Sequence, residues 1–429
     1  MDAVRVGVLG CGNVGAALVR LLTADGAGIA ERTGVRLEVA RVAVRDASRR
    51  RRVHLPSGCL TGDAAAVVTD PGVDVVVELI GGIDPAGTLV RTALEAGKPV
   101  VTANKELLAH AGAELFEVAA RTRVDLLYEA AVAGGIPLIR ALRESLAGER
   151  ITRVMGIVNG TTNYILTRMA EEGASYADAL AEAQELGYAE SDPRADVEGF
   201  DAAAKAAILA TIAFGAQVLA GDVFREGITR ITAADVAFAR RLGYVVKLLA
   251  VAERPDKDDE EVAVRVHPAM VASTHPLATV RGSFNAVFIE GDAVGELMLY
   301  GRGAGGMPTA SAVLGDLIDA AHNLRTGGSG RTTTLAPATI RPMDELCSQY
   351  YLNMDVVDRP GVLAAVSTVT AENGVSLASF EQEGLGDDAR MVFITHKARE
   401  RDIQDTLEDL RGLDVVKRVG CLLRVIGPE

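Results

Sequence analysis

Tryptophan is absent from the 429 residues, and cysteine occurs only at Cys11, Cys59, Cys347 and Cys421. These cysteines form neither a C-x-x-C pair nor a metal-ligand spacing, so we expect reduced, structural thiols. No apolar run of 18 residues is free of charges or clusters of small residues, and the N-terminus lacks the basic region of a signal peptide. These absences predict a cytoplasmic protein without a membrane partner.

Positive charge is in deficit, with 44 lysine and arginine residues against 58 aspartate and glutamate residues and a formal net charge of −14. An acidic balance opposes binding to nucleic acid and to anionic lipid. The one basic run, residues 49–52, is too short to reverse it. We therefore expect small-molecule partners and copies of the same chain, assembled as a homodimer or homotetramer.

The chain is longer than a single hydrophobic core supports, roughly 250 to 300 residues, so we expect two or three domains. In residues 1–130, strands rich in valine and leucine alternate with helical stretches, which is typical of a parallel sheet covered on both faces. The sequence therefore predicts an α/β, doubly wound sheet of the Rossmann type, completed by a helix at 308–324. The predicted elements are strands at 4–9, 37–44, 73–79, 100–102 and 124–129 and helices at 14–23, 86–96 and 105–122.

The pattern changes in the rest of the chain. Residues 131–325 mix alanine-rich helical stretches, including one at 233–252, with short strands, and predict an α+β domain for substrate binding and dimerisation. Residues 326–347 begin with a run of glycine, serine and threonine that favours a linker. Residues 348–429 have the order strand, helix, strand, strand, helix, strand, which predicts a ferredoxin-like module.

The first predicted strand ends in a glycine-rich turn, Gly10-Cys-Gly12-Asn13-Val14-Gly15. In a βαβ unit the first glycine permits the tight turn, the second lets the backbone approach a pyrophosphate, and the third lets the helix pack on the strand. A bound phosphate would lie at the helix N-terminus. The turn therefore predicts a dinucleotide site, with a glycine-rich turn that binds nothing as the alternative.

The end of the second predicted strand bears on the choice of coenzyme. An acidic residue there usually binds the ribose 2′-hydroxyl of NAD. Here the strand ends in Arg45, followed by Asp46 and the basic run at 49–52. Guanidinium groups suit a 2′-phosphate, which favours NADP, although Asp46 leaves NAD open. The alternative is a solvated basic loop.

Charged residues also follow the predicted sheet. Lys105 follows a strand and opens a helix, which places it at the carboxyl edge of the sheet, where cofactors bind in such folds. Residues 190–205 carry five carboxylates and a lysine. Asp201 and Lys205 are four residues apart and would share one helical face. A solvated helical face is the alternative interpretation.

At these segments the chain resembles the homoserine dehydrogenase family over almost its whole length. The resemblance implies an NAD(P)H-dependent oxidoreductase that interconverts L-aspartate 4-semialdehyde and L-homoserine, in the pathway to threonine, methionine and isoleucine. The C-terminal module resembles an ACT domain through DRPGVLAAVS at 358–367. The other matching segments are VVELIGG at 76–82, GKPVVTANKELLA at 97–109, YEAAVAGGIPLIRALRESLAG at 128–148, GIVNGTTNYILT at 156–167, AQELGYAESDPRADVEGFDAAAK at 183–205, REGI at 225–228 and GRGAGGMPTASAVLGD at 301–316.

The resemblance implies roles for the charged residues. Lys205 would be the proton donor or acceptor, Asp201 would orient it, and Lys105 would contact both substrate and cofactor. The carboxylates of Glu190 and Asp196 would bind the ammonium group of the substrate, since a buried charge needs a counter-charge.

Two further nucleotide contacts follow from the same resemblance. Ile80 lies in the VVELIGG segment, and Gly305 lies in a glycine-rich loop that closes against the cofactor in the family. The alternative for Gly305 is a turn that starts a helix, because Pro308 follows it.

A sodium ion is also implied by the resemblance. Glu129, Val132, Gly134 and Ile136 match positions that hold the ion in some relatives through one carboxylate and backbone carbonyls. Oxygen ligands of this kind suit a hard cation. The alternative is that Glu129 caps the following turn. The six histidines show no ligand spacing, and we assign them no catalytic role.

The start of the first helix in the C-terminal module predicts an effector site. Pro360 suits a helix start, and Gly361 and Val362 leave backbone amides open to the carboxylate of an amino acid, whose ammonium group Asp358 would bind. We expect L-threonine as the effector. The alternative is a module that only dimerises the enzyme.

Two other functions stay open at this point. One is a catalytically silent sensor of nucleotide and amino acid, which the intact Lys105 and Lys205 oppose. The other is a related dehydrogenase for another short aldehyde or 2-hydroxy acid, in which Glu190 and Asp196 would have no ammonium group to bind.

Overall fold

A computed structural model describes residues 2–49, 51, 53–255, 261–329, 335–384 and 388–427. Two predictions fall partly outside these residues. Arg50 and Arg52 of the basic run are not among them, and neither are residues 330–334 of the predicted linker.

The N-terminal part of the chain forms a six-stranded parallel sheet in the order β3-β2-β1-β4-β5-β6. This order, with helices between the strands, confirms the predicted doubly wound sheet. The predicted last strand is shorter than expected, because the chain turns into a 3₁₀ helix at Glu129–Ala131. The elements are β1 (Val4–Leu9), α1 (Asn13–Ala24), α2 (Gly26–Thr33), β2 (Leu37–Ala43), β3 (Leu60–Thr61), α3 (Ala64–Thr69), β4 (Val75–Glu78), α4 (Ala86–Glu95), β5 (Val100–Thr102), α5 (Lys105–Thr122) and β6 (Leu126–Leu127).

The middle of the chain is mixed helix and strand, as predicted, with one error. The helix expected at 233–252 ends at Arg241, and residues 244–253 form a strand that pairs antiparallel with 263–272. Gly243 separates the two elements with φ of 81°, a left-handed conformation that ends the helix. The elements are α6 (Leu138–Arg140), β7 (Ile151–Ile157), α7 (Gly160–Glu172), α8 (Tyr176–Glu185), α9 (Arg194–Val197), α10 (Phe200–Phe214), β8 (Ala216–Gln217), β9 (Phe224–Arg225), α11 (Ala233–Arg241), β10 (Tyr244–Glu253), β11 (Ala263–Ala272), β12 (Phe284–Gly291), β13 (Gly295–Arg302), α12 (Gly306–Thr326) and β14 (Ala336–Pro337).

The C-terminal module has the predicted ferredoxin-like arrangement, with four antiparallel strands in the order β19-β15-β17-β16. Its two helices and the sheet enclose a separate apolar core that includes Tyr350, Met354, Val366, Phe393 and Leu407. The elements are β15 (Cys347–Val357), α13 (Val362–Glu372), β16 (Leu377–Gly384), β17 (Asp388–Thr395), β18 (Ala398–Arg399), α14 (Glu400–Arg411) and β19 (Val416–Ile426).

The module is not a detached domain. Its last strand, β19, pairs in parallel with β11, so that a continuous sheet runs in the order β10-β11-β19-β15-β17-β16. Arg424 of β19 stands opposite Ala269 of β11. Pairing between segments so far apart in the chain leaves no local pattern in the sequence, and we did not predict it.

The chain divides into two compact units. The first comprises residues 1–154, 204–222 and 285–338, and its core joins β1 to α12 through Val6, Val8, Val313 and Leu317. The second comprises residues 155–203, 223–284 and 339–429. Within the described ranges, no helix combines the length and the hydropathy needed to cross a bilayer.

Candidate active site

The turn between β1 and α1 has three glycines, and two of these positions require glycine for steric reasons. Gly10 has φ of 98°, and a Cβ there would lie 2.6 Å from the carbonyl oxygen of Leu79. A Cβ at Gly15 would lie 2.2 Å from the carbonyl oxygen of Gly10. Gly12 differs, because a Cβ there would meet no atom within 4 Å. The space in front of Gly12 is therefore open to a ligand.

This turn borders a cleft of about 1460 Å³. The cleft brings together five of the predicted cofactor residues, namely Gly10, Gly12, Asn13, Arg45 and Ile80. Of the other four, Gly15 packs against the backbone of Gly10 in the turn, and Val14 packs against the core of the first unit. Gly305 adjoins Gly306, which does line the cleft, and Lys105 is not among the lining residues.

Two helices begin beside the cleft. Gly12 precedes α1 and Gly305, with φ of 125°, precedes α12, and neither helix start has a side-chain cap. A Cβ at Gly306 would lie 3.1 Å from the carbonyl oxygen of Asn13, which shows how closely the two starts approach. Uncapped N–H groups and the positive ends of two helix dipoles favour an anion such as a pyrophosphate.

Four arginines line the same cleft: Arg20, Arg45, Arg49 and Arg51. Asp46 accepts hydrogen bonds from the hydroxyl and the backbone N–H of Ser48 at 2.6 and 2.9 Å. These bonds hold the pKa of Asp46 below its usual range. Its carboxylate is therefore already bonded within its own loop, while the lining as a whole is rich in guanidinium groups.

A buried carboxylate that sequence reasoning did not single out, Glu78, lies at the carboxyl edge of the sheet, at the end of β4. Glu78 is fully buried and accepts from the N–H groups of Ile80 and Gly81 at 2.7 and 3.0 Å and from the hydroxyl of Thr102 at 2.6 Å. It thus fixes the loop after β4 to the end of β5. The sequence signal for this role was a glutamate at the end of an apolar strand, within the VVELIGG segment.

Asn104 places Lys105. Its side chain accepts from the N–H of Leu107 at 3.0 Å and so caps α5, while its amide donates to the carbonyl oxygen of Gly82 at 2.7 Å. Lys105 is then the first residue of α5, at the carboxyl edge of the sheet, as expected. Lys105 and Lys205 are both half-buried, and both belong to the first unit.

The acidic segment in the second unit is organised by an asparagine. The amide nitrogen of Asn159 donates to Oδ1 of Asp196 at 2.6 Å and to Oδ2 of Asp201 at 2.8 Å. The side-chain oxygen of Asn159, Oδ1, accepts from the N–H of Thr162 at 2.8 Å and caps α7. The structure thus brings Asp196 and Asp201 together on one bridging residue. Sequence reasoning quoted this asparagine in a motif but gave it no role.

Glu190 is placed differently from Asp196. Its side chain is exposed, and its backbone carbonyl accepts from the side chain of Gln184 at 3.0 Å. The neighbouring Tyr188 is tied to α7, since its carbonyl accepts from the hydroxyl of Thr161 at 2.7 Å. Asp201 and Lys205 lie in one helix, α10, four residues apart.

Glu129 is buried beside the start of α6. Its two carboxylate oxygens accept from the N–H groups of Ile139 and Arg140 at 2.9 and 2.8 Å, and its own N–H donates to the buried carboxylate of Asp316 at 2.8 Å. Burial raises the pKa of Glu129 and brings that of Asp316 to about 7. The carboxylate of Glu129 therefore binds the backbone at the start of α6.

The other residues of the predicted sodium site surround this turn. Val132 and Ile136 are buried, and a Cβ at Gly134 would lie 2.9 Å from the hydroxyl of Thr309. Among the residues that the structure describes, no group of three or more histidine, cysteine, aspartate or glutamate side chains is placed to hold a metal.

The predicted effector site lies at the start of α13. Gly361 has φ of 94° and precedes the helix without a side-chain cap, and a Cβ there would meet no atom of the described residues within 4 Å. Val362 is buried, and it is the first helical residue in place of Pro360. Asp358 is exposed.

The sheet order, the glycine turn and the cleft place the chain in the class of Rossmann-type dinucleotide-binding proteins, here with a ferredoxin-like module. Family models agree: "Homoserine dehydrogenase, NAD binding domain" matches residues 10–129, "Homoserine dehydrogenase" matches 137–318, and "ACT domain" matches 350–415. The chain belongs to the homoserine dehydrogenase family.

Individual relatives match over the full length. Homoserine dehydrogenase of Corynebacterium glutamicum is 50% identical over 427 residues, which cover 99% of this chain and 96% of the relative. That of Mycobacterium tuberculosis is 49% identical, with 99% and 98% covered. The crystal structure of a homoserine dehydrogenase from Thiobacillus denitrificans superimposes with a TM-score of 0.91 at 39% identity, with 99% and 98% covered.

A fourth relative was solved with a coenzyme. A hyperthermophilic archaeal homoserine dehydrogenase in complex with NADPH matches 75% of this chain and 98% of its own, with 30% identity and a TM-score of 0.63.

Proposed function

We propose that the chain catalyses the NAD(P)H-dependent interconversion of L-aspartate 4-semialdehyde and L-homoserine. The observation that carries the proposal is the Asn159 amide, which holds the carboxylates of Asp196 and Asp201 together in a chain of this family. Of these two carboxylates, Asp196 suits the ammonium group of an amino-acid substrate, and a substrate without an amine would leave it idle.

In the proposed reaction, Lys205 exchanges the proton of the reacting oxygen. When bound, the nicotinamide supplies a hydride to, or accepts one from, the carbon atom that carries this oxygen. In the direction of oxidation, Lys205 accepts the hydroxyl proton of homoserine as the aldehyde forms, and in reduction it returns that proton. Lys105 stabilises negative charge on the oxygen, and Asp201 orients Lys205 from one helical turn away. Asp196 and Glu190 bind the substrate ammonium group.

For the coenzyme, we propose a preference for NADP over NAD. The guanidinium groups of Arg45, Arg49 and Arg51 in the cleft support this choice, because a 2′-phosphate requires positive partners. Gly10, Gly12, Asn13, Val14, Gly15, Ile80, Lys105 and Gly305 would complete the nucleotide site.

We also propose a sodium ion at Glu129 with the carbonyls of Val132, Gly134 and Ile136, outside the chemical step. Glu129 and Asp316 are both buried, and the backbone N–H of Glu129 donates to the Asp316 carboxylate, so a cation here would offset negative charge in a buried region. For regulation, we propose L-threonine at Asp358, Gly361 and Val362 in a cytoplasmic homodimer or homotetramer. Millimolar L-threonine should then inhibit the enzyme.

The experiment that tests the proposed function compares coenzymes. The purified protein should reduce NADP when L-homoserine is added, with a kcat/KM above that for NAD. Arg45→Asp should lower the ratio of the NADP value to the NAD value, while Arg121→Asp, an equal change of charge on α5 outside the cleft, should leave it unchanged. A protein that reduces neither coenzyme would contradict the function, and an unchanged ratio in Arg45→Asp would place the discriminating cation elsewhere.

A further inference from the structure

A buried arginine of the C-terminal module joins two carboxylates. Arg424 of β19 is 1% exposed. Its Nη2 and Nε donate to the two oxygens of Glu400 at 2.5 and 3.1 Å, and its Nη1 donates to Oε2 of Glu226 at 2.5 Å. Glu400 belongs to the module, on α14, whereas Glu226 lies outside it, in the segment that follows β9. Arg424 therefore links the module to that segment.

On the module side, this contact is held rigidly. Glu400 is also buried and accepts from the hydroxyl of Tyr350 at 2.9 Å and from the amide of Gln404 at 2.9 Å. The backbone of Arg424 is fixed by the parallel pairing of β19 with β11. The guanidinium group that reaches Glu226 is thus oriented by a carboxylate that two further side chains hold in place.

Residues 224–228, which contain Glu226, are packed directly against residues 196–200. The N–H of Ile228 donates to the carbonyl oxygen of Val197 at 2.8 Å. A Cβ at Gly227 would lie 2.2 Å from the same oxygen, so the two backbones approach as closely as glycine allows. The guanidinium carbon of Arg225 lies 3.6 Å from the ring centre of Phe200. The two segments therefore move together if either moves.

The second of these segments carries the carboxylates of the proposed substrate site. Asp196 precedes Val197 and Asp201 follows Phe200, and both accept from the amide of Asn159. A chain of direct contacts thus runs from Glu400 through Arg424 and Glu226 to the backbone between Asp196 and Asp201.

We propose that Glu226 and Arg424 are positioning residues, through which the C-terminal module sets the affinity for the amino-acid substrate. The inference rests on the proposed function, since it assumes that Asp196 and Asp201 serve an amino-acid substrate. Arg424 has two carboxylate partners for one positive charge. Loss of the charge of Glu226 therefore leaves Arg424 neutralised by Glu400, so the module keeps its fold. The interaction of Arg424 with the 224–228 segment becomes weaker.

The test is Glu226→Gln in the full chain, which keeps the shape of the side chain and removes its charge. The KM for L-homoserine should rise about tenfold, the effect expected of a residue that couples through a packed network, while kcat and the KM for NADP change less than about twofold. Hydrogen exchange of the peptide that spans 194–201 should become faster. Because this exchange needs no substrate, it decides the inference even for a protein that does not oxidise homoserine.

Asn353→Ala is the matched control. Asn353 of β15 donates to the carboxylate of Asp235 on α11, which is a second bond between the module and the rest of the unit that does not involve Glu226. This variant should lower the melting temperature without changing the KM for homoserine or the exchange of residues 194–201. Unchanged KM and exchange in Glu226→Gln, or equal changes in both variants, would overturn the proposal.

Discussion

Lys205 is the residue to which the proposed chemistry assigns the proton. It is half-buried in α10, four residues after Asp201. We expect Lys205→Ala to lower kcat by about 10² or more, the scale of a lost acid–base group, while the dissociation constant for NADPH stays near that of the wild type. Stopped-flow turnover and a fluorescence titration with NADPH measure the two quantities.

Lys105→Ala should differ from Lys205→Ala by raising KM as well.

A near-normal kcat in Lys205→Ala would remove this residue from the proton transfer. An unchanged KM in Lys105→Ala would remove that lysine from the substrate site. The two outcomes concern different residues, since the lysines lie on different helices, α10 and α5.

Asn159 has two tasks that one substitution separates. Its oxygen caps α7, and its amide joins Asp196 to Asp201. Serine is an equally good cap but has no amide to bridge the carboxylates. Asn159→Ser should therefore lower kcat/KM for homoserine at least about tenfold, because the two carboxylates lose the amide that positions them. It should also lower the free energy of unfolding, since hydrogen bonds to charged groups contribute about 1.5 to 3 kcal/mol each to stability.

The matched control for Asn159→Ser is Ser175→Ala. Ser175 caps α8 by accepting from the N–H of Asp178. Among the hydrogen bonds of the described residues, none joins Ser175 to Asp196 or Asp201. This variant should lose about 1 kcal/mol of stability and keep its kcat/KM. Wild-type kinetics in Asn159→Ser would show that the bridge has no part in substrate binding.

Asp316 makes stability depend on pH. The residue is 4% exposed, and burial brings its pKa to about 7, well above the value of 3.8 for a free aspartate. A carboxyl group with a raised folded-state pKa contributes stability that is fully present below the unfolded pKa and is lost as pH rises through the folded pKa. The loss for Asp316 therefore falls between about pH 4 and pH 7.

Asp316→Asn cannot titrate and should escape this loss. Relative to the wild type, its free energy of unfolding should rise by on the order of a few kcal/mol between pH 4 and pH 7 and then level off. Urea denaturation across this range in a sodium-free buffer measures the difference, because a cation at Glu129 would stabilise the charged form of Asp316. Asp414→Asn, at an exposed position, should run parallel to the wild type. A constant difference between Asp316→Asn and the wild type would contradict the raised pKa.

At the scale of elements, the turn from β1 to α1 offers a direct comparison of two glycines. Gly15→Ala would place a Cβ 2.2 Å from a backbone oxygen, whereas Gly12→Ala would place one in open space. We expect Gly15→Ala to lower the free energy of unfolding by about 1 to 3 kcal/mol, as overpacking does. Gly12→Ala should fold normally but bind NADPH at least about tenfold more weakly, because its methyl group would occupy the position of the pyrophosphate.

Thermal denaturation and calorimetric titration with NADPH distinguish the two glycine variants. Wild-type affinity in Gly12→Ala would mean that the coenzyme does not approach this turn. Wild-type stability in Gly15→Ala would mean that the backbone there can shift away.

The elements differ in how far local sequence determines them. β1, β5 and α5 have the predicted bounds, because an apolar strand pattern and an asparagine cap are local features. The strand at 244–253 was predicted as helix, since its alanine and leucine content favours a helix and its pairing partner at 263–272 comes later in the chain.

The candidate site shows the same division. The spacing of Gly10, Gly12 and Gly15 predicted the cofactor turn. The roles of Glu78 and Asn159 depend on partners more than 20 residues away, Thr102 for one and Asp196 for the other. A glutamate at a strand end and an asparagine before a helix are visible in the sequence, but the local pattern does not identify these partners.

At the scale of the whole molecule, the pairing of β19 with β11 changes what removal of the C-terminal module would do. From the sequence alone, deletion of residues 348–429 is expected to abolish inhibition by threonine and to spare catalysis. The structure shows that this deletion would also unpair an edge of β11 and remove Arg424 from Glu226. Asp358→Ala is the sharper test of threonine binding, because Asp358 is exposed and the substitution leaves the sheet intact.

The most direct test of the proposed function compares L-homoserine with 4-hydroxybutyrate, which has the same reacting hydroxyl but no amine. We predict that the wild-type protein reduces NADP with L-homoserine at a kcat/KM on the order of 10⁴ higher than with 4-hydroxybutyrate, because a site built for a polar group rejects an analogue that lacks it. Equal values for the two alcohols, or no NADPH formed from L-homoserine by protein that binds NADP, would contradict the account.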